Sequence, residues 1–201
     1  VRGGLFQSRG GTVRHDAVAW GYARAASALG VDIIERCEVI GLDITNGQIV
    51  GVETNQGRIG SARVGVAVAG HSSEVMRHAG LRLPIESHVL QAFVTEGLKP
   101  VIPRVITYGA GHFYISQSDK GGLVFGGDLD GYNSYASRGN LPVVEDVCEG
   151  GMSIMPMLGR ARLLRSWGGV MDMSMDGSPI IDQTKVDGLY FNGGWCYGGF
   201  P

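Results

Sequence analysis

Asp176-Gly177-Ser178-Pro179-Ile180-Ile181-Asp182 leads into Gly188-Leu189-Tyr190-Phe191-Asn192-Gly193-Gly194-Trp195-Cys196-Tyr197-Gly198-Gly199-Phe200. A turn feeds a strand, and the strand feeds a glycine-rich turn. Such a turn normally opens a helix whose N-terminus receives an anion or a polar ring. Here Pro201 follows at once, so the stretch reads as one end of a larger protein. Val1-Arg2-Gly3-Gly4 resembles neither a signal peptide nor a natural start, and the reading is of a piece cut at both ends. Four glycines between 193 and 199 leave the backbone bare, either for a ligand or for a close crossing of another strand. No Gly-Lys-Ser/Thr follows, which argues against a Walker-type phosphate loop.

Outward from that stretch, Val64-Gly65-Val66-Ala67-Val68-Ala69-Gly70-His71-Ser72-Ser73 repeats the style. Val64, Val66 and Val68 alternate with small residues, as in a buried strand with one face kept small. Gly70 closes it, and Ser72 to Ala79 reads as a short helix ended by Gly80. The strand end is either a ligand contact at a helix N-terminus or an ordinary turn capped by Ser72. Asn46-Gly47 between Glu38–Ile44 and Ile49–Thr54 signals a hairpin. Asn55-Gln56-Gly57 makes a second turn into a strand over Arg58–Ala69. Upstream, Asp16 caps an alanine-rich helix from Ala17 to Leu29. Val18, Tyr22, Ala25, Ala26 and Leu29 form its apolar stripe, and Gly30 stops it. Val31–Ile34 reads as a short strand.

Beyond Leu81-Arg82-Leu83-Pro84 the pattern becomes antiparallel. Strands are expected at His88–Glu96, Val105–Tyr108, Phe113–Gln117, Leu123–Gly127 and Leu163–Asp172, with a turn at Asp119-Lys120-Gly121-Gly122. Val143–Leu158 fits a helix, weakened by Gly150-Gly151 and ending near Pro156. The fold class is therefore α/β (α+β), with a Rossmann-like part interleaved with an antiparallel-sheet part.

Glycine is the compositional outlier, with 34 among 201 residues against roughly 7% in average proteins. Apolar residues at 44% are enough for a core, and the net charge of −2 offers no surface for nucleic acid or anionic membrane. No apolar run reaches the roughly 18 residues of a membrane span. Cys37, Cys148 and Cys196 give no disulfide framework and no metal-binding spacing, which points to a reducing cytoplasm. His78, His88 and His112 lack metal-ligand spacing. His15 and His71 are ordinary flanking residues unless context raises them. Trp167-Gly168-Gly169 reads as core, with pocket lining as the alternative, and Cys196 is a candidate reactive thiol with nothing near it in sequence to depress its pKa. No Ser-His-Asp set or carboxylate pair stands out, so the catalytic residues are unknown. That absence leaves the chemistry to a cofactor.

Together, Gly10-Gly11-Thr12-Val13-Arg14-His15-Asp16-Ala17-Val18-Ala19-Trp20-Gly21, Ala69-Gly70-His71-Ser72-Ser73, Leu83-Pro84-Ile85-Glu86-Ser87-His88, Ser166-Trp167-Gly168-Gly169, Asp176-Gly177-Ser178-Pro179 and Gly193–Phe200 resemble the D-amino-acid-oxidase-type FAD-dependent oxidoreductases. Within them the chain resembles the β subunits of heterotetrameric sarcosine oxidases. The resemblance implies oxidation of sarcosine (N-methylglycine) to glycine by hydride transfer to a non-covalent FAD. Electrons then pass to a covalent FMN and to O2, giving H2O2. His15 lies where the FMN-bearing histidine is expected. Val39 matches an adenosine contact, and Ala69 and Gly70 a pyrophosphate-side contact. Gly177, Gly194, Tyr197 and Gly199 match the segment beside the isoalloxazine ring.

The same resemblance assigns 1–83 to part of an FAD-binding domain lacking its Gly-x-Gly-x-x-Gly segment. It assigns 84–169 to a substrate domain, and 170–201 to a return to the FAD domain without its last helix. Pro201 stands where members carry a substrate-gripping lysine. The implied partners are sarcosine, O2, and the α and smaller subunits of a heterotetramer. Two alternatives remain at this point. One is an oxidase or dehydrogenase for another N-methyl amino acid such as dimethylglycine. The other is a non-catalytic piece that only docks a partner subunit.

Overall fold

The computed structural model describes residues 3–109 and 113–198. The chain forms two compact units. The first takes Val1–Glu35, Gln91–Asp128 and Gly139–Trp167, and the second takes Arg36–Leu90, Leu129–Arg138 and Gly168–Pro201. The architecture is mixed α/β, largely antiparallel, with a parallel strand pair among the described residues.

The first unit holds α1 (His15–Ala28), β6 (Ile106–Tyr108), β7 (Phe113–Gln117), most of β8 (Gly122–Leu129) and α3 (Leu141–Ile154), with parts of β5 (Ile85–Gly97) and β9 (Leu163–Ser174). These strands order β6-β7-β8-β5-β9. Between β7 and β8 the antiparallel register sets Ile115 opposite Phe125. Those two residues, with Phe93, Phe113 and Leu123, form a core closed by Val143 and Val147 of α3. Asn140 caps α3 by accepting the Val143 N–H at 3.0 Å. Gly151, which weakens the helical reading of the sequence, is what lets α3 sit down: a Cβ there would lie 2.6 Å from the Phe113 ring. The helix ends at Ile154, short of the expected Leu158. Pro156 cannot continue it and opens a 3₁₀ turn over Pro156–Arg160.

Sequence and structure differ at further points in this unit. The stripe on α1 is present as a pattern, but no residue of the helix is buried. Burial needs a facing surface as well as a stripe, and the core of this unit is completed by α3 instead. Val31–Ile34 forms no strand, and its side chains are exposed. The end of α1 does follow its signal. Gly30 adopts φ +88°, and the Gly30 and Val31 N–H groups return to the carbonyls of Ser27 and Ala26 at 3.0 and 3.1 Å, a Schellman closure. Asp16 lies inside the first turn rather than at the cap, which Arg14 occupies.

The second unit begins with β1 (Val39–Thr45), β2 (Gln48–Thr54) and β3 (Gly57–Gly60), an antiparallel sheet. Asn46 and Gly47 take φ values of 50° and 81°, as a type I′ hairpin turn requires. A second sheet orders β10 (Ile180–Gln183), β11 (Leu189–Gly193) and β4 (Val64–Val66), with β11 antiparallel to β10 and parallel to β4. The single strand expected over Arg58–Ala69 thus divides into β3 and β4, in different sheets. It is not fully buried either: β4 is an edge strand, so Val66 is covered while Gly65 and Val68 stay exposed. A short helix, α2 (Ser72–Arg77), packs on β1. Ile49, Val66, Met76, Ile85, Leu189 and Phe191 make the core. Among the described residues, no helix is long and apolar enough to cross a membrane.

Candidate functional site

Strand register brings three turns of the second unit to one sheet edge. Ile180 at the start of β10 pairs with Gly193 at the end of β11. Phe191 of β11 pairs with Val66 at the end of β4. The Asp176–Pro179 turn, the Gly193–Tyr197 turn and the segment from Val68 to His71 therefore leave from the same side. In open α/β sheets, the space outside the carboxyl ends of parallel strands is where ligands bind.

Each turn has backbone that side chains rarely adopt. Ala69 has φ +46°, Gly177 +75°, Gly194 +77° and Cys196 +50°. Left-handed backbone at non-glycine residues such as Ala69 and Cys196 persists only where the surroundings hold it. After β4, Ser72 Oγ donates to the Ala69 carbonyl at 2.6 Å. Gly70 is buried, and a Cβ there would meet Val170 Cγ1 at 2.3 Å and the Val170 carbonyl at 2.5 Å. That glycine admits β9. Gly193 is likewise a packing glycine, since its Cβ would lie 2.6 Å from the Phe191 ring. Gly177, by contrast, has open space around it, and Tyr197 is 62% exposed.

The Gly193–Tyr197 turn is bound to β9. Buried Asp172 accepts the Gly194 N–H on Oδ2 at 2.6 Å, and its backbone carbonyl accepts the Cys196 N–H at 3.1 Å. Ser174 presents its N–H to Cys196 Sγ at 3.2 Å, and the Ser174 hydroxyl lies 3.3 Å from the same sulfur. Trp195 Nε1 donates to Asn192 Oδ1 at 2.8 Å.

Ala69, Gly70, Gly177, Gly194 and Tyr197 thus share one edge. Val39 belongs to the same unit, half-buried at the first position of β1. His15 belongs to the first unit, exposed in the first turn of α1. Gly199, His112 and Pro201 lie outside the described residues. Beside His15, Arg14 and Asp16 pair at 2.6 Å. Their hydrogen bond raises the guanidinium pKa and holds the carboxyl below its ordinary value. Two histidines of the second unit are tethered: His88 Nδ1 sits 2.8 Å from the Asp130 carbonyl, and the His71 ring lies 5.5 Å from Tyr135.

Trp167, expected in the core, is instead exposed, with the Arg165 guanidinium 5.4 Å from its ring. The three cysteines are free. Burial pushes the Cys148 thiol up. Among the described residues, no cluster of His, Cys, Asp and Glu could hold a metal ion. A separate concavity of about 790 Å³ in the second unit is lined by Arg77, Arg82, Leu83, Glu86, Asn133 and Met175, and includes none of the glycine-turn residues.

Sequence reasoning passes over Asp172 and Ser174. The available signal is their i, i+2 spacing on a strand, which puts two polar side chains on one face. It becomes informative only when that face is seen to be buried.

A sheet edge with bare turns defines a class of ligand-binding α/β protein, and comparison with known proteins specifies it. Residues 1–201 match the family described as DAO, FAD dependent oxidoreductase, and the chain belongs to that family. It is 70% identical over 200 residues to sarcosine oxidase subunit beta of Rhizobium meliloti (strain 1021), covering all of this chain and 48% of that protein. It is 45% identical to sarcosine oxidase subunit beta of an Arthrobacter species, covering all of this chain and 49% of that protein. The chain therefore spans about half the length of the curated relatives it matches. Among solved structures it is similar to L-proline dehydrogenase from P. horikoshii, with TM-score 0.81 and 28% identity over 89% of this chain and 49% of that one.

FAD is the cofactor this family implies, and the residues fit it. Open space at Gly177 and the exposed, left-handed Ala69 leave main chain accessible at two of the three turns. Main chain is what a dinucleotide needs to approach closely.

Proposed function

We propose that this chain is part of the β subunit of a sarcosine-oxidase-type flavoenzyme. The observation that carries the reading is the convergence of three turns at one edge of the β10-β11-β4 sheet. The 70% identity to a protein named as such a subunit supports the substrate. In this reading 1–83 and 170–201 belong to the FAD domain, and 84–169 to the substrate domain.

Ala69 and Gly70 would hold the pyrophosphate side of FAD, and Val39 the adenosine. Gly177, Gly194 and Tyr197 would lie beside the isoalloxazine ring, and the resemblance adds Gly199, which falls outside the described residues. FAD supplies a two-electron acceptor for the N-methyl group of sarcosine. Over the whole reaction, sarcosine, water and O2 become glycine, formaldehyde and H2O2, unless a folate on another subunit captures the one-carbon unit. His15, exposed beside the Arg14–Asp16 pair, carries the covalent FMN. The α and smaller subunits complete a cytoplasmic heterotetramer.

The test uses the natural full-length protein co-expressed with its partner subunits. After denaturation, flavin fluorescence should remain with this polypeptide and vanish in His15→Ala, while releasable FAD is present in both. Fluorescence that survives His15→Ala, or is released completely from the wild type, refutes the covalent site. Peroxide formation with sarcosine should exceed that with dimethylglycine. The reverse order assigns the chain to the other N-methyl amino acid class, and activity with neither leaves only the docking reading.

A further inference from the structure

Asp172 is the most deeply buried carboxylate bound to a candidate site residue, at 5% exposure. Burying a carboxylate is costly unless hydrogen bonds replace water. Here the replacement is the Gly194 N–H at 2.6 Å, a short charge-assisted contact. The same strand makes two more links to the turn: the Asp172 carbonyl to the Cys196 N–H, and Ser174 to Cys196 Sγ. All of them converge on Gly194 and Cys196, whose backbones are left-handed. β9 therefore holds a turn that would otherwise relax, and holds it from the buried side. Tyr197, one residue on, is exposed.

We propose that Asp172, assisted by Ser174, is a positioning residue that sets the Gly193–Tyr197 turn against the flavin ring. It is not a catalytic residue: it acts through the Gly194 amide. The inference rests on the FAD reading above and deepens it. It makes two demands that a purely structural carboxylate does not meet. Removing the acceptor loosens the flavin side of the turn in a protein that still folds. Removing only the charge eases negative charge build-up on the ring, so the bound flavin becomes easier to reduce.

The experiment compares wild type, Asp172→Ala, Asp172→Asn and Ser174→Ala in the full-length protein. FAD affinity, visible flavin spectrum, reduction potential and circular dichroism are measured on each. Folded Asp172→Ala should bind FAD roughly tenfold to hundredfold more weakly, the range for losing a hydrogen bond to a charged group, with an altered spectrum. Asp172→Asn, which keeps an acceptor, should recover most of the affinity and show a more positive potential. Ser174→Ala should fall between wild type and Asp172→Ala. Unchanged affinity and spectrum in folded Asp172→Ala overturns the proposal. Where that variant does not fold, an unchanged affinity, spectrum and potential in both Asp172→Asn and Ser174→Ala overturns it. A wild type that binds no FAD overturns the parent reading and this one together. A wild type that binds FAD, with indifferent variants, overturns this one alone.

Discussion

α1 and α3 are each 14 residues long and belong to the same unit, yet only one of them is packed. α3 buries Val143, Val147 and Gly151, whereas α1 buries nothing. α3 has a side-chain cap in Asn140, and α1 begins after Arg14 without one. Both show apolar residues at helical spacing. The difference lies in what faces them. A stripe states which side a helix can bury, and the shape of the opposing surface decides whether it does.

Their interior glycines turn this contrast into a test of sign. A Cβ on Gly151 would lie 2.6 Å from the Phe113 ring and 3.0 Å from Leu158. Gly151→Ala gains about 1 kcal/mol of helix propensity, but overpacking a rigid ring costs roughly 1–3 kcal/mol. The expected outcome is a net loss of stability, seen as a lower midpoint in thermal or urea unfolding. Gly21 in α1 has nothing within 4 Å of its Cβ position. Gly21→Ala should therefore raise stability, or α1 helicity, by about 0.5–1 kcal/mol. Equal signs for the two variants would break the comparison: a destabilising Gly21→Ala would show that α1 has a close neighbour.

The same distinction governs how much of the molecule is legible in the sequence. Asn46-Gly47, the Phe113–Gln117 strand and the Gly30 helix stop are set by local backbone chemistry, and they stand where the sequence puts them. Family membership is legible too, because the glycine turns carry it in contiguous motifs. What is set by distant partners is not legible. The burial of β4 depends on its place at a sheet edge. Gly70 is required by Val170, 100 residues away in sequence. Trp167 lies in an exposed part of β9. Asp172 finds Gly194 across 22 residues, and no local pattern announces that hydrogen bond. For the candidate site, the turns themselves could be read, but not the strand that holds one of them.

The smallest effect concerns the start of α1, where Asp16 stands in for the missing cap. Its carboxylate accepts the Ala17 N–H at 2.9 Å and pairs with Arg14, placing negative charge in the first turn, where the helix dipole favours it. The Arg14 hydrogen bond, followed by that of Ala17, holds its pKa below the ordinary 3.8. A carboxyl whose folded pKa is depressed adds stability above its unfolded pKa and loses it as pH falls through the folded one. The contribution of α1's first turn is therefore intact at neutral pH and fades only below about pH 4. Because the pair is solvent-exposed, salt should screen it. Asp16→Asn should lower α1 helicity slightly at pH 7 and remove its acid dependence, while leaving α3 unaffected. The measurement is the carboxyl titration of Asp16 by NMR, beside amide exchange in the two helices. An Asp16 that titrates above 3.8, or an α3 that responds as strongly as α1, would show that the two helix starts are not held by the separate local contacts described here.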